Sequence, residues 1–329
     1  MNKLAFPILA VLADGKFHSG EDLAQRFGVT RATVYNAIQS AEQLGIKVFS
    51  VRGRGYRLPK PLTLLDADQI TQACGDYAPW FHVQVLAQVD STNRYLMQES
   101  ARGIAHATCV AAHMQTAGRG RRGRSWHSQL GGSLTFSLLW RFQCGAAGLS
   151  GLSLVVGLAL VRALHTMGLT SVRLKWPNDL LVLQAGSWHK LGGILIELQG
   201  DMEGPSAAVI GIGLNLELEA DLQQQIDQAA MGLNQLAGAP VDPNQLLGHC
   251  LNQLAQHLSL FAEHGFAYFQ PEWTVYHAFE QQAVNLLLAN GQSVPGRVVG
   301  VAEEGSLLVE TAAGIQRFNA GEISVRSAA

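Results

Sequence analysis

Residues 19–44 read SGEDLAQRFGVTRATVYNAIQSAEQL, and the organisation of the chain follows from this stretch. Ser19 can accept a hydrogen bond from an amide one turn ahead, so it caps a short helix expected to run through Phe27. Gly28-Val29 supplies a tight turn. Thr30 then caps a second helix with Val34, Ile38, Ala41 and Leu44 on one face at helical spacing. Two helices one short turn apart make a helix-turn-helix. The second would expose Thr30, Arg31, Thr33, Asn36 and Gln39, whose donors and acceptors suit phosphates and base edges in a major groove. Downstream, residues 46–51 alternate as a strand does, and Arg52-Gly53-Arg54-Gly55-Tyr56-Arg57-Leu58 sets a glycine turn among three arginines. A wing has this composition: Arg52 and Arg54 would project cations at a phosphate backbone.

Charge partition supports that reading. Residues 1–60 hold nine basic and four acidic side chains, a net +5; the remainder holds 14 against 21, or −7, within an overall −2. A basic head on an acidic body assigns a polyanionic partner to the head alone. A plain helical hairpin or an ordinary basic surface competes with each feature taken singly; helix pair, wing and charge together point to DNA. Pro59-Lys60-Pro61 ends the head and stiffens a linker.

At 329 residues, 48% hydrophobic and 15% charged, the chain is excluded from the disordered class and has room for two or three domains. Boundaries are expected at 60 and 272, giving units 1–60, 61–272 and 273–329. Four scattered cysteines without a C-x-x-C fit a reducing compartment. The apolar run 149–164 is interrupted by Ser150 and Ser153 and holds Arg162, so it reads as a buried core helix rather than a span. Pro7 breaks the apolar run after Lys3, which argues against a secretory leader; a cytoplasmic protein is expected.

In the body, strand-like segments at 83–89, 108–112, 134–140, 191–198 and 207–214 alternate with helix-like ones at 92–102, 148–167 and 244–263, an α/β or α+β pattern. Further on, 282–288, 293–301, 307–310, 315–318 and 323–325 are short strands with turns at Gly291, Gly305 and Gly314, which reads as a small all-β barrel.

Four clusters carry chemistry. Gln115-Thr116-Ala117-Gly118-Arg119-Gly120-Arg121-Arg122-Gly123-Arg124-Ser125-Trp126 combines glycines, which let a loop close on a ligand, with four permanently charged arginines. It reads as a cradle for phosphate or carboxylate, with an exposed nucleic-acid patch as the competing reading. It lacks the Lys-Ser/Thr ending of a P-loop and the strand-to-helix setting of a Rossmann turn. Lys175-Trp176-Pro177-Asn178-Asp179 is turn chemistry, yet Arg173-Leu174-Lys175 resembles a strand end that could hold a lysine rigidly against a ligand's negative charge. Asp90-Ser91-Thr92-Asn93 precedes a helix and serves as an N-cap, as hydrogen-bonding groups for a small polar ligand, or as both. Gly192-Gly193-Ile194-Leu195-Ile196-Glu197 and Gly211-Ile212-Gly213-Leu214-Asn215 read as strands whose glycines admit a ligand, or as ordinary core strands. No Ser/His/Asp order, paired carboxylates or His/Cys cluster stands out, so no metal ligand is assigned.

These four clusters, in this order, resemble the bacterial biotin protein ligase family, over nearly the whole chain. The winged head makes the chain similar to the bifunctional members that also repress the biotin biosynthetic operon. The resemblance implies an α+β multidomain fold: a winged helix-turn-helix at 1–60, a central mixed α/β biotin- and ATP-binding catalytic domain at 61–272 akin to class II synthetase-like folds, and a small SH3-like β-barrel at 273–329. It implies a biotin–[acetyl-CoA-carboxylase] ligase that uses ATP and Mg²⁺. Biotin's carboxylate attacks the α-phosphate to give biotinyl-5′-AMP, and a lysine of biotin carboxyl carrier protein takes the biotin. The adenylate acts as corepressor, and a homodimer binds operator DNA.

By motif, Ser91, Thr92, Asn93 and Gln115 would bind biotin's polar ring. Arg119, Gly120 and Arg121 would hold its carboxylate and the adenylate phosphate, and Lys175 would bridge the two, with Lys175 and Arg121 catalytic. Trp126, Asn215 and Arg326 are expected on the nucleotide side. Asn285 stands where the resemblance leads one to expect a basic residue, and 217–235 is expected to be a lid. A biotin-sensing regulator with little ligase activity and a lipoate-type ligase are the alternatives.

Overall fold

The cap signals of the head form the predicted helices. In the computed structural model, α1 (Ala5–Leu12), α2 (Gly20–Phe27) and α3 (Arg31–Glu42) are followed by a hairpin of β1 (Phe49–Val51) and β2 (Gly55–Arg57). The structure describes residues 2–200, 204–218, 223, 228–288, 291–320 and 323–327. Ser19 Oγ accepts from Asp22 N at 3.0 Å and Thr30 Oγ1 from Thr33 N at 3.2 Å, while Gly28 takes φ +63° to end α2. Val34, Ala37, Ile38 and Ala41 bury one side of α3 against α1 and α2. Leu44 departs from expectation: α3 ends at Glu42, so Leu44 lies past the helix and 36% exposed. The strand expected from 46 begins only at Phe49, because Ile46 and Val48 turn inward to seal the head's core.

The head does not hang free of the body. Leu62 N donates to Ala13 O, and Met114, a body residue, is buried within the head's apolar cluster together with Leu62 and Leu130. The Phe6 and His113 rings meet at 4.5 Å, and burial pushes the His113 imidazole down to about 4, so it is neutral there.

The body comprises α4 (Ala67–Ala73), β3 (His82–Leu86), α5 (Thr92–Ala101), β4 (Thr108–Ala112), the short β5 (Gly118–Arg119) and β6 (Ser125–Trp126), β7 (Ser133–Phe142), α6 (Leu152–Thr166), β8 (Arg173–Lys175), β9 (Asp179–Gln184), β10 (Ser187–Gly200), β11 (Ser206–Asn215), α7 (Leu233–Ala237), α8 (Pro243–His264) and α9 (Gln270–Tyr276). Seven strands form a mixed sheet in the order β3-β4-β7-β11-β10-β9-β8, parallel only between β3 and β4. By length and composition Ala146–Thr166 could cross a membrane, despite its serines; here α6 is buried against α8 and the sheet, as a core helix. The strand expected over 83–89 stops at Leu86, and Val89 instead makes a parallel bridge to Gln115. That bridge brings two of the polar motifs side by side.

The last unit is an antiparallel sheet of β12 (Ala283–Leu288), β13 (Ser293–Val301), β14 (Leu307–Thr311), β15 (Gly314–Phe318) and β16 (Ile323–Ser327), in the order β15-β14-β13-β12-β16. Its apolar side continues the body's core through Phe279, Val284, Val298 and Val309. Trp176 Nε1 donates to Gly305 O at 3.0 Å, and Arg121 donates to Ala320 O.

Gly55 takes φ +101°, and a Cβ there would run into the His18 carbonyl. Gly55→Ala should therefore lower the stability of the head by about 2 kcal/mol. Urea melts of the full chain, followed by limited proteolysis at the wing, check this.

Candidate functional site

Gln115 beyond β4, the N-terminal halves of β7, β9 and β10, the end of β8 and the far end of β11 all open onto one cavity of about 400 Å³. Two chemically distinct ends make it up.

One end is a web of hydrogen bonds. Ser91 caps α5 and is buried. Thr92 N and Oγ1 both face Gln115 Oε1, at 2.7 and 3.1 Å. Ser137 Oγ lies 2.7 Å from Thr92 Oγ1 and 2.6 Å from Asn93 Oδ1, and Asn93 Nδ2 donates to Leu195 O and Glu197 Oε2. A side chain at Gly211 would strike Asn93, and one at Gly213 would strike the indole of Trp126, so the glycines of β11 are what let these groups approach the sheet. Ser91 caps the helix, and Ser91, Thr92 and Asn93 line the cavity.

The other end is cationic. Lys175, Lys190, Arg121, Arg124 and Arg326 line it, with Asp179 among them. Lys190 Nζ pairs with Asp179 Oδ1 at 2.7 Å. Burial pushes the Lys175 ammonium down to about 8; Asp179 opposes the shift, while Arg326, Lys190 and Arg124 add to it. The same ammonium stands 5.9 Å from the centre of the Phe279 ring. Arg121 Nη1 donates to Asn178 Oδ1 at 3.0 Å, and its guanidinium is likewise lowered by burial first and by Arg122 and Arg124. So many like charges with a single acid between them suit an incoming anion.

Every predicted ligand residue of the body and the C-terminal unit reaches this cavity: Ser91, Thr92, Asn93, Gln115, Arg119, Gly120, Arg121, Trp126, Lys175, Asn215 and Arg326 all line it. Arg119 is already occupied, by Glu197 at 3.0 Å. Trp126 leaves its Nε1 buried without a partner, and Asn215 Nδ2 donates to Lys190 O at 3.2 Å. Asn285 pairs in register with Arg326 across β12 and β16. Of the expected lid, 219–222 and 224–227 lie outside the described residues; Gln228 and Ala230 line the cavity.

Sequence reasoning missed Lys190, Ser137, Asn178, Asp179 and Glu197 as individual site residues. For Ser137 a signal existed: Ser133, Thr135 and Ser137 alternate within an otherwise apolar strand and are all buried, which marks one face as polar. Lys190 had none, since only the β9–β10 hairpin brings it to Asp179.

On the head, Arg31, Asn36, Arg52 and Arg54 are exposed together. Thr30 and Thr33 share their hydroxyls in the cap at 2.9 Å, Thr30 exposed and Thr33 half-buried, and Gln39 is half-buried and donates to Glu42. Arg54 and Arg57 stack on the Phe17 ring, at 4.5 and 5.0 Å.

A cavity with a hydrogen-bonding end and a cationic end, carried by a body that bears a winged helix-turn-helix, defines a small-molecule ligase joined to a regulatory head. Comparisons agree with both halves. The Biotin/lipoate A/B protein ligase family pattern matches residues 85–215, an HTH domain pattern 5–57, and the biotin protein ligase C-terminal domain pattern 282–326. The chain is 38% identical to the bifunctional ligase/repressor BirA of Salmonella typhimurium, over 98% of this chain and 97% of that one, and 37% identical to its Escherichia coli K12 counterpart, over 99% and 98%. A solved biotin protein ligase from Aquifex aeolicus, in complex with biotin and ATP, superposes with a TM-score of 0.64 at 31% identity, over 75% of this chain and 99% of that one. The chain belongs to the biotin protein ligase family, among its bifunctional ligase/repressor members.

The depressed Lys175 ammonium has a consequence for stability. Below pH 8 the folded and unfolded chains both hold this proton, and the burial penalty on the folded state is complete. Between about 8 and the ordinary 10.5 the folded chain releases the proton first, and the penalty fades. Lys175→Met should therefore be more stable than the parent at pH 7, with the difference vanishing by pH 10.5. Urea midpoints of both proteins across that range check the sign.

Proposed function

We propose that this chain activates biotin with ATP to biotinyl-5′-AMP, transfers the biotin to a lysine of biotin carboxyl carrier protein, and as an adenylate-bound homodimer represses transcription from operator DNA. The observation that carries this reading is the joining, in one cavity, of a dense hydrogen-bonding end to a cluster of cations around a single acid.

Biotin's ring lies at the Ser91, Thr92, Asn93 and Gln115 end, where its polar atoms meet fixed donors and acceptors. Its carboxylate then points at the cations. Bringing that carboxylate to the α-phosphate of ATP sets two anions against each other, and Lys175 and Arg121, with Lys190, cancel the repulsion and hold the charge that builds as the new P–O bond forms and pyrophosphate leaves. Arg119 and Gly120 hold the carboxylate and phosphate of the adenylate. Trp126, Asn215 and Arg326 serve the nucleotide. In the second step the carrier's lysine attacks the mixed anhydride, and AMP departs with the bonding electron pair. Among the described residues no three His, Cys, Asp or Glu stand together as a cation cage, and Asp179 is engaged by Lys190. Mg²⁺ would accompany the nucleotide's phosphates as part of the substrate.

The domain assignment 1–60, 61–272 and 273–329 belongs to this reading, with α9 straddling the second boundary, as do a class II synthetase-like body, an SH3-like barrel and a cytoplasmic setting. Exposed Leu183 and Leu198 on β9 and β10 support a dimer through the central sheet. Exposed Arg31, Asn36, Arg52 and Arg54, on α3 and the wing turn, support operator reading. A biotin-sensing regulator without transfer, or a lipoate-type ligase, would share this architecture; the populated cation cluster favours catalysis over sensing.

Mass spectrometry of an acceptor domain incubated with the protein, ATP and biotin should show one biotin adduct on one lysine, and lipoate in place of biotin should give none. Lys175→Ala should form no pyrophosphate from biotin and ATP; a rate equal to the parent's would refute the role given to Lys175. In operator binding, Arg54→Ala should lower affinity and reduce the salt slope by about one, with ligation unchanged.

A further inference from the structure

Glu197 is an acid beside a cavity that suits anions, where it repels the proposed ligands. Its contacts explain its presence. Oε2 accepts from Asn93 Nδ2 at 3.0 Å and from Arg119 Nη1 at 3.4 Å, and Oε1 pairs with the same Arg119 nitrogen at 3.0 Å. Asn93 is almost fully buried, while Arg119 is 43% exposed in its side chain on the Gly/Arg loop. An ion pair that open adds little to stability by itself.

We propose that Glu197 is a positioning residue that ties the ring-binding end of the cavity to the Gly/Arg loop, holding Asn93 and Arg119 on one carboxylate. This rests on the reading of the cavity as the biotin and adenylate site.

The chemistry runs inward from the carboxylate. Glu197 Oε2 and Leu195 O are both acceptors, so they fix which side of the Asn93 amide is NH₂. Asn93 Oδ1 must then face Ser137 Oγ. Ser137 has one proton, and because Asn93 Oδ1 can only accept, that proton goes to Asn93. Thr92 Oγ1, 2.7 Å from Ser137, therefore keeps its own proton for Ser137 or for Gln115. Glu197 and the Leu195 carbonyl together set the donor and acceptor pattern offered to the ring, and only Glu197 extends it to the loop. Outward, the same carboxylate holds the first arginine of the loop over the cavity mouth, so ring recognition and loop placement share one anchor.

Biotin KM, kcat and the release rate of biotinyl-5′-AMP, measured on the full chain, test this. Glu197→Gln keeps an acceptor for Asn93 but no charge for Arg119. It should leave biotin KM within about threefold of the parent while the adenylate leaves about tenfold faster, as in Arg119→Ala. Glu197→Ala should also raise biotin KM, by about tenfold. Adding Arg119→Ala to Glu197→Gln should speed release no further than either change alone. Three results would overturn the proposal: variants kinetically identical to the parent, effects that multiply in the double variant, or a loss confined to urea midpoint and active fraction. If the parent itself fails to biotinylate the acceptor domain, the reading of the cavity falls, and this proposal with it.

Discussion

The structure depends on holding like charges close together. Lys175, Lys190, Arg121, Arg124 and Arg326 come from four separate stretches of chain and converge on one cavity with Asp179 among them. Burial first, and the neighbouring cations second, hold the Lys175 ammonium below its ordinary range. What keeps them in place is the apolar core behind: α6 and α8 on the sheet, Trp176 fixed to the C-terminal sheet through Gly305, and Phe279 beneath the Lys175 ammonium. An arrangement strained by its own charge is at its best when an anion arrives, and the anion's binding is strengthened by the relief.

Much of this was legible in the sequence, for physical reasons that differ by region. Local signals sufficed for the head: Ser19 and Thr30 cap because their hydroxyls reach amides three residues on, which needs no knowledge of the rest of the chain. Strands buried on both faces, such as β4, stood out as short apolar runs. The cavity's arginines were readable because glycine and arginine so densely mixed have few other uses. Failures were mostly non-local. Leu44 kept the helical spacing after the helix had ended, although Gly45, at φ +81°, was a nearby stop signal. Lys190 and Glu197 are ordinary residues on a long strand, and their meaning comes from β9 and from the loop carrying Arg119, which lie at sequence distances that periodicity does not reach.

Charge is also divided by purpose. The head's Arg54 and Arg57 are steadied on Phe17 near the surface, whereas Lys175 and Arg121 of the body are held in a cavity and largely desolvated. Guanidinium groups at the two places meet different dielectric surroundings, so salt weakens the first set of contacts far more than the second. The two units are nonetheless joined through Met114, which sits in the head's core one residue before Gln115 of the cavity.

Arg326 lies on β16, which follows every other described element in the chain, yet it lines the same cavity as Ser91. During synthesis the head and most of the sheet leave the ribosome before that arginine does. A growing polypeptide can thus assemble the winged head while the cavity still lacks the wall that carries Arg326.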